Sequence, residues 1–160
     1  MERVVDILTN GRWSLGLAED SIRLSFDDRF RRRRRYVSVA GREFLLDLRE
    51  PRLLRDGDGL VLDSGIVVAI EEQDEDLLEV ASGDAGLLAR LAWHLGNRHA
   101  AVEFAPGRLR LRDEAVLAAL LDSLRVSYQR VRAGFNPETG APAGAHADGH
   151  LQPAGEAAEA

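Results

Sequence analysis

The chain contains four histidines and no cysteine, so its nitrogen and sulfur donors for a metal ion reduce to His94, His99, His146 and His150. Imidazole nitrogen is a borderline donor suited to Ni(II), Cu(II) and Zn(II). One histidine cannot hold such an ion. A two-fold homodimer changes this, because an isologous interface brings the same residue of both chains to the axis. Two copies of His99 could then share one ion, with Trp93 and other apolar groups burying its rim. His146 and His150, spaced i, i+4 near the C-terminus, could close over the ion from either tail. Ligands that must be ordered on binding limit affinity, which suits a carrier better than a store. Other chemistries are poorly represented. Asp113 and Glu114 are a carboxylate pair, but adjacent residues on a helix do not face each other. No Ser/His/Asp order, phosphate-binding glycine loop or His-Glu-x-x-His motif occurs. Catalysis is therefore not expected.

The elements around Trp93-His94-Leu95-Gly96-Asn97-Arg98-His99 must position this chemistry. Leu87, Leu91, His94 and Leu95 fall at i, i+4, i+7 and i+8, the apolar stripe of a helix. His94 lies on that stripe and reads as a core histidine, whereas Trp93 lies roughly opposite and is expected at the surface. Gly96 and Asn97 tolerate left-handed backbone angles and should end the helix. Arg98 meets the negative end of the helix dipole, and His99 projects from the corner that follows.

This helix belongs to a repeated pattern. Leu77 to Ala81 reads as a strand before it and Ala101 to Phe104 as a strand after it. Leu109 and Leu111 alternate with Arg108, Arg110 and Arg112 in the next. Asp113 is placed to cap a second helix, with Val116, Leu117, Leu120, Leu121 and Leu124 as its stripe. Val126, Tyr128 and Val131 lie in a last strand. The order β-α-β-β-α-β predicts a ferredoxin-like sandwich over residues 73–138.

Residues 1–72 read as short strands: Arg3 to Leu8, the alternation of Ile22, Leu24 and Phe26, Tyr36 to Ala40 with its hairpin partner Glu43 to Leu48, then Leu60 to Leu62 and Ile66 to Ile70. With no convincing helix, they predict a small all-β barrel or sandwich. Arg31 to Arg35 is a run of five arginines. It is either a charge-protected strand whose arginine stems lie along the sheet or a contact for phosphate or an acidic partner. Glu71 to Asp76 is the expected linker between domains. Residues 139–160 are rich in Ala, Gly and Pro, and are expected to form a disordered tail carrying His146 and His150. The fold class is thus α+β: a β-rich domain at 1–72, a ferredoxin-like domain at 73–138 and a tail at 139–160.

Composition sets the outer bounds. At 160 residues, 45% apolar and 30% charged, the chain is of ordinary globular type. All 21 basic residues are arginine, a bias consistent with genome composition. A net charge of −6 argues against a generally nucleic-acid-binding surface. Phe104 alone is available for stacking on the candidate sheet, where an RNA-binding module uses several aromatics. No secretory signal and no apolar run of bilayer length is evident, so a cytoplasmic protein without membrane contact is expected.

Three ordered motifs carry a family resemblance. Trp93 to His99 is similar to the Tyr-His-Leu-Gly-Asn-Arg-His signature of the urease accessory protein UreE family. Phe135-Asn136-Pro137-Glu138-Thr139-Gly140-Ala141 resembles that family's Phe-x-Pro-Glu-x-Gly-Ala segment, and Leu54-Arg55-Asp56-Gly57-Asp58 its Leu-Arg-x-Gly-Asp turn. The resemblance implies a nickel metallochaperone, a homodimer, and partners among the other urease accessory proteins and the urease apoprotein complex. It implies His99 as the nickel ligand, tail histidines such as His146 and His150 as further ligands, and Ni(II) as cargo. It also implies an N-terminal domain like a peptide-binding module. From coordination chemistry alone, a general zinc- or copper-binding protein stays open. Where many relatives have Asp-His-Val-Leu, this chain has Glu114-Ala115-Val116-Leu117, so an auxiliary site at that helix is not expected.

Overall fold

The computed structural model describes residues 1–138. The first half is strand-dominated: β1 (Glu2–Leu8), β2 (Asp20–Leu24), a four-residue helix α1 (Phe26–Arg29), β3 (Phe30–Val37), β4 (Glu43–Leu53), β5 (Gly59–Leu62) and β6 (Val67–Glu72). They form one six-stranded sheet in the order β2-β6-β5-β1-β4-β3. The β1/β4 and β2/β6 pairs are parallel and the other pairs antiparallel. The two outer strands approach each other, because the Val39 amide donates to the Ser21 carbonyl at 2.8 Å. The alternating residues Ile22, Leu24, Tyr36, Phe44 and Leu46 meet Leu54, Leu60, Leu62, Val68 and Ile70 in one core, as period-two patterning requires.

The second half follows as β7 (Glu75–Ala81), α2 (Ala85–Asn97), β8 (Glu103–Ala105), β9 (Arg108–Arg112), α3 (Ala115–Ser123) and β10 (Gln129–Ala133). Its sheet order, β10-β7-β9-β8, is all antiparallel. Counted within the domain this is 4-1-3-2, the ferredoxin-like arrangement that the β-α-β-β-α-β order predicts. Leu91 and Leu95 of α2 and Leu117 and Leu121 of α3 pack with Leu78, Val80, Leu109 and Leu111 in one cluster. Both helices therefore cover the same sheet face. Leu77, on the other face of β7, packs with Phe26 of the first half and Phe135.

Several local expectations change. Phe26 does not continue the β2 alternation. It opens α1, whose cap is Ser25: the Ser25 hydroxyl accepts from the Asp28 amide at 3.3 Å, a short capping signal that prevails over the period-two pattern of the sequence. The strand expected at Tyr36 to Ala40 instead runs from Phe30 to Val37 and takes in the whole arginine run; Ser38 to Gly41 is the turn. The acidic stretch Glu71 to Asp76 is where the chain passes from one sheet to the other, but most of it is strand rather than loop. Glu71 and Glu72 end β6, Glu75 and Asp76 begin β7, and only Gln73 and Asp74 lie between. The carboxylates are tolerated there because Arg23, Arg29, Arg112 and Arg132 pair with them. Asp113 does not cap α3; Glu114 stands at the N-cap without a side-chain bond, and Asp113 accepts from Arg130 at 2.9 Å.

Candidate metal centre

Helix α2 begins at a strong cap. The Asp84 carboxylate accepts from the Gly86 and Leu87 amides at 2.9 and 3.1 Å. The far end is where the candidate ligand sits. The helix stops where the sequence placed its end, but neither Gly96 nor Asn97 takes the left-handed angle. Asn97 is its last residue, Arg98 is the C-cap, and the left-handed position falls on His99, with φ +55°. The Ala100 amide donates to the Leu95 carbonyl and the His99 amide to the Gly96 carbonyl, both at 3.0 Å. This pair of bonds is a Schellman motif. Glycine is the residue that fits its left-handed position without steric cost; a residue with a Cβ there costs about 1–2 kcal/mol. The corner thus carries an exposed histidine in a left-handed conformation, as Arg125 (φ +55°) does in the same pair of bonds at the end of α3. Arg98 reinforces the corner by donating to the His94 carbonyl at 3.1 Å.

Trp93 is 65% exposed, on the side of α2 away from the core, as predicted. His94 is not a core histidine. It is half-buried, packs edge-on to Trp93 with 5.1 Å between ring centres, and lines an open cleft of about 510 Å³ with Leu87, Arg90, Leu91 and Leu124. The stripe spacing was correct, but the stripe is wider than the contact that α3 and the sheet make with it. Among the described residues, no three histidine or acidic side chains come together as a metal site. His99 thus stands without co-ligands from its own described residues. His146 and His150 lie outside the described residues.

The segment Phe135 to Glu138 shows what its motif does structurally. Phe135 is fully buried between the two halves, and its ring meets Phe26 edge-on with 5.9 Å between centres. The Asn136 amide donates to the Glu103 carboxylate at 2.8 Å, and the Glu138 amide to the Val102 carbonyl at 2.9 Å. As the chain advances from Asn136 to Glu138, its partners step back from Glu103 to Val102, in the direction of His99.

A residue that sequence reasoning missed holds this segment. Arg29 of α1 is wholly buried. It donates to the Leu54 carbonyl at 3.3 Å, the Asn136 side-chain carbonyl at 3.1 Å and the Phe135 carbonyl at 2.6 Å, with Glu72 at 3.5 Å. Burial pulls its guanidinium below the ordinary arginine range, and the nearby Glu72 and Glu75 carboxylates oppose that shift. From the other half, Arg112 reaches back to Asp27 at 2.8 Å and lies over the Phe26 and Phe135 rings. No local sequence signal marks Arg29, since its partners are up to 107 positions away. The Leu54 to Asp58 motif is likewise structural: Asp58 is buried, and its carboxylate accepts from the amides of Asn10 and Arg55, each at 2.9 Å.

Comparison with known proteins agrees with these motifs. Residues 2–72 match the model of the UreE urease accessory protein N-terminal domain, and residues 75–159 that of the C-terminal domain. The chain is 43% identical over 150 residues to the urease accessory protein UreE of Beijerinckia indica, covering 94% of this chain and 86% of that protein. It is 42% identical to UreE of Bradyrhizobium sp. strain ORS 278, covering 91% and 70%, and 39% identical to UreE of Ruegeria pomeroyi, covering 91% and 94%. With both domain models matched in order and relatives alike over 70–94% of their length, this chain belongs to the UreE urease accessory protein family and serves urease maturation as a non-catalytic accessory protein.

Proposed function

We propose that the protein is a nickel metallochaperone. Two chains form a homodimer whose axis passes beside His99, one Ni(II) ion is shared by the two His99 imidazoles, and His146 or His150 completes its coordination. The ion is then delivered, in the cytoplasm, to a complex of the urease apoprotein and other urease accessory proteins. Imidazole alone does not discriminate nickel from zinc or copper; nickel follows from the family's role in urease maturation. The observation that carries the reading is His99 itself: exposed, held in a left-handed corner where glycine would be less strained, and without ligating neighbours among the described residues of its own chain.

Chain length supports the tail's part. Glu138 is bonded to Val102, three residues from His99. His146 follows eight residues later and His150 twelve. At about 3.4 Å per extended residue these spans reach about 27 and 41 Å, against about 10 Å for three residues. Both tail histidines can therefore reach a metal at His99. Trp93, one turn and a half before His99 and exposed, is the natural apolar contact for a second chain.

The test is calorimetric titration of Ni(II) into metal-free wild type, His99→Ala and a chain ended after Gly140, with solution mass measured alongside. The expected result is about one ion per dimer for wild type, no binding for His99→Ala, and at least tenfold weaker binding for the truncated chain. Undiminished binding by His99→Ala would overturn the reading.

A further inference from the structure

The five consecutive arginines on β3 are all exposed. The protective explanation for such a run is that charge keeps a free sheet edge from pairing with another chain. Here β3 is the outer strand of its sheet, and its two ends are tied down. Helix α1 abuts one end of β3, the Val39 amide is bonded to Ser21 at the other, and the Tyr36 hydroxyl reaches across to the Asp28 carbonyl.

The charges also stand largely uncompensated. Arg34 pairs with Asp28 at 2.9 Å and Arg33 more loosely with Asp47 at 4.0 Å. Among the described residues, Arg31, Arg32 and Arg35 have no carboxylate within 4.0 Å, and neither do Arg49 and Arg52 on the neighbouring strand β4. Arg31 lies directly opposite Arg52 in the ladder, a like-charge pair that destabilises a sheet. Arg23, Arg42, Arg110, Arg112, Arg130 and Arg132 each have a carboxylate oxygen within 3.0 Å, and the other arginines without a carboxylate partner among the described residues are scattered rather than contiguous. A genome-wide preference for arginine explains the residue type but not five in succession on one strand. The result is a concentrated positive surface on a chain of net charge −6.

We propose that the surface formed by Arg31, Arg32, Arg35 and Arg52 is a docking face for a short acidic segment of another protein. Guanidinium forks are built for bidentate contact with carboxylates. At about 3.3 Å per residue, Arg31 to Arg35 spans about 13 Å, the length of a few extended residues. A short run of Asp or Glu fits within the patch. A nucleic acid would extend beyond it onto a surface that is negative overall. This face is in the N-terminal half and does not use His99, so it would operate whatever metal the protein carries.

The test uses the full chain and a fluorescently labelled hexaglutamate peptide, with a twelve-nucleotide oligouridine and a hexalysine peptide as comparisons, read by anisotropy at low salt and at 0.3 M NaCl. Two triple variants of equal charge change are compared: Arg31→Gln with Arg32→Gln and Arg35→Gln, and Arg55→Gln with Arg90→Gln and Arg125→Gln. The expected result is binding of hexaglutamate in preference to both comparisons, weakened at least tenfold by the first triple variant and less than twofold by the second, and falling with salt. Equal weakening by both variants, tighter binding of oligouridine, or no hexaglutamate binding would each overturn the proposal. A thermal melt of the first variant separates lost binding from lost fold; its melting temperature is expected to be at least that of wild type, since the substitutions relieve repulsion.

Discussion

His99 concentrates the relation between strain and use in one residue. Its φ of +55° completes the Schellman motif that ends α2, and glycine would complete it at lower cost. Removing the imidazole by two routes therefore separates fold from function. His99→Gly is expected to raise stability by about 1 kcal/mol in urea unfolding, while abolishing nickel binding in the same titration that reads His99→Ala. A glycine variant that unfolds more easily than wild type would mean that the imidazole makes stabilising contacts which the corner geometry does not account for.

Between elements, polar contacts decide how α1 and β3 are joined. Tyr36 of β3 is 4% exposed, and its hydroxyl donates to the Asp28 carbonyl of α1. Burial pushes its phenol up to about 12, against about 10 in the unfolded chain. The folded state thus holds the proton more tightly, and the stability gained is fully present below pH 10. It is lost as pH rises from about 10 to 12, because only the unfolded chain ionises freely in that window. The expected fall is of order 2 kcal/mol, measured by urea unfolding at pH 9.5 and 11.5. In Tyr36→Phe the steep alkaline loss should be absent, although the variant starts from a lower stability because the hydroxyl bond is gone.

At the scale of the whole molecule, two arginines fasten the halves reciprocally. Arg29 reaches from the first half to Phe135 and Asn136, and Arg112 reaches from the second to Asp27, with the Phe26–Phe135 pair between them. Arg29→Ala would leave the Leu54 and Phe135 carbonyls and the Glu72 carboxylate without this donor, and is expected to cost about 3–5 kcal/mol in chemical unfolding. Arg29→Met, which refills the volume without charge, should cost clearly less. Equal losses would indicate that packing volume rather than the bonded charge holds this joint. The same joint sets where the chain leaves at Glu138, beside Val102, so it bears on the metal centre without touching it.

Features that depend on near neighbours were legible in the order of residues alone. Period-two runs such as Leu109 and Leu111 between arginines and the i, i+4 stripes of α2 and α3 fix which face of each element is apolar, and a βαβ order then leaves few topologies. The ferredoxin-like domain, the exposed Trp93 and the singling out of the Trp93 to His99 run were legible for that reason. The remaining features rest on contacts between residues distant in the chain, which no local pattern reveals. Nothing near Arg29 sets it apart from the other arginines of the chain, because its carbonyl and amide partners lie as far along the chain as Asn136. The Glu71 to Asp76 acids looked like a linker because their arginine partners are remote in sequence. The left-handed angle moved from Gly96 and Asn97 to His99 because the helix end is set by the docking of Leu95 and Ala100 against the core, and local glycine preference is worth less than that burial.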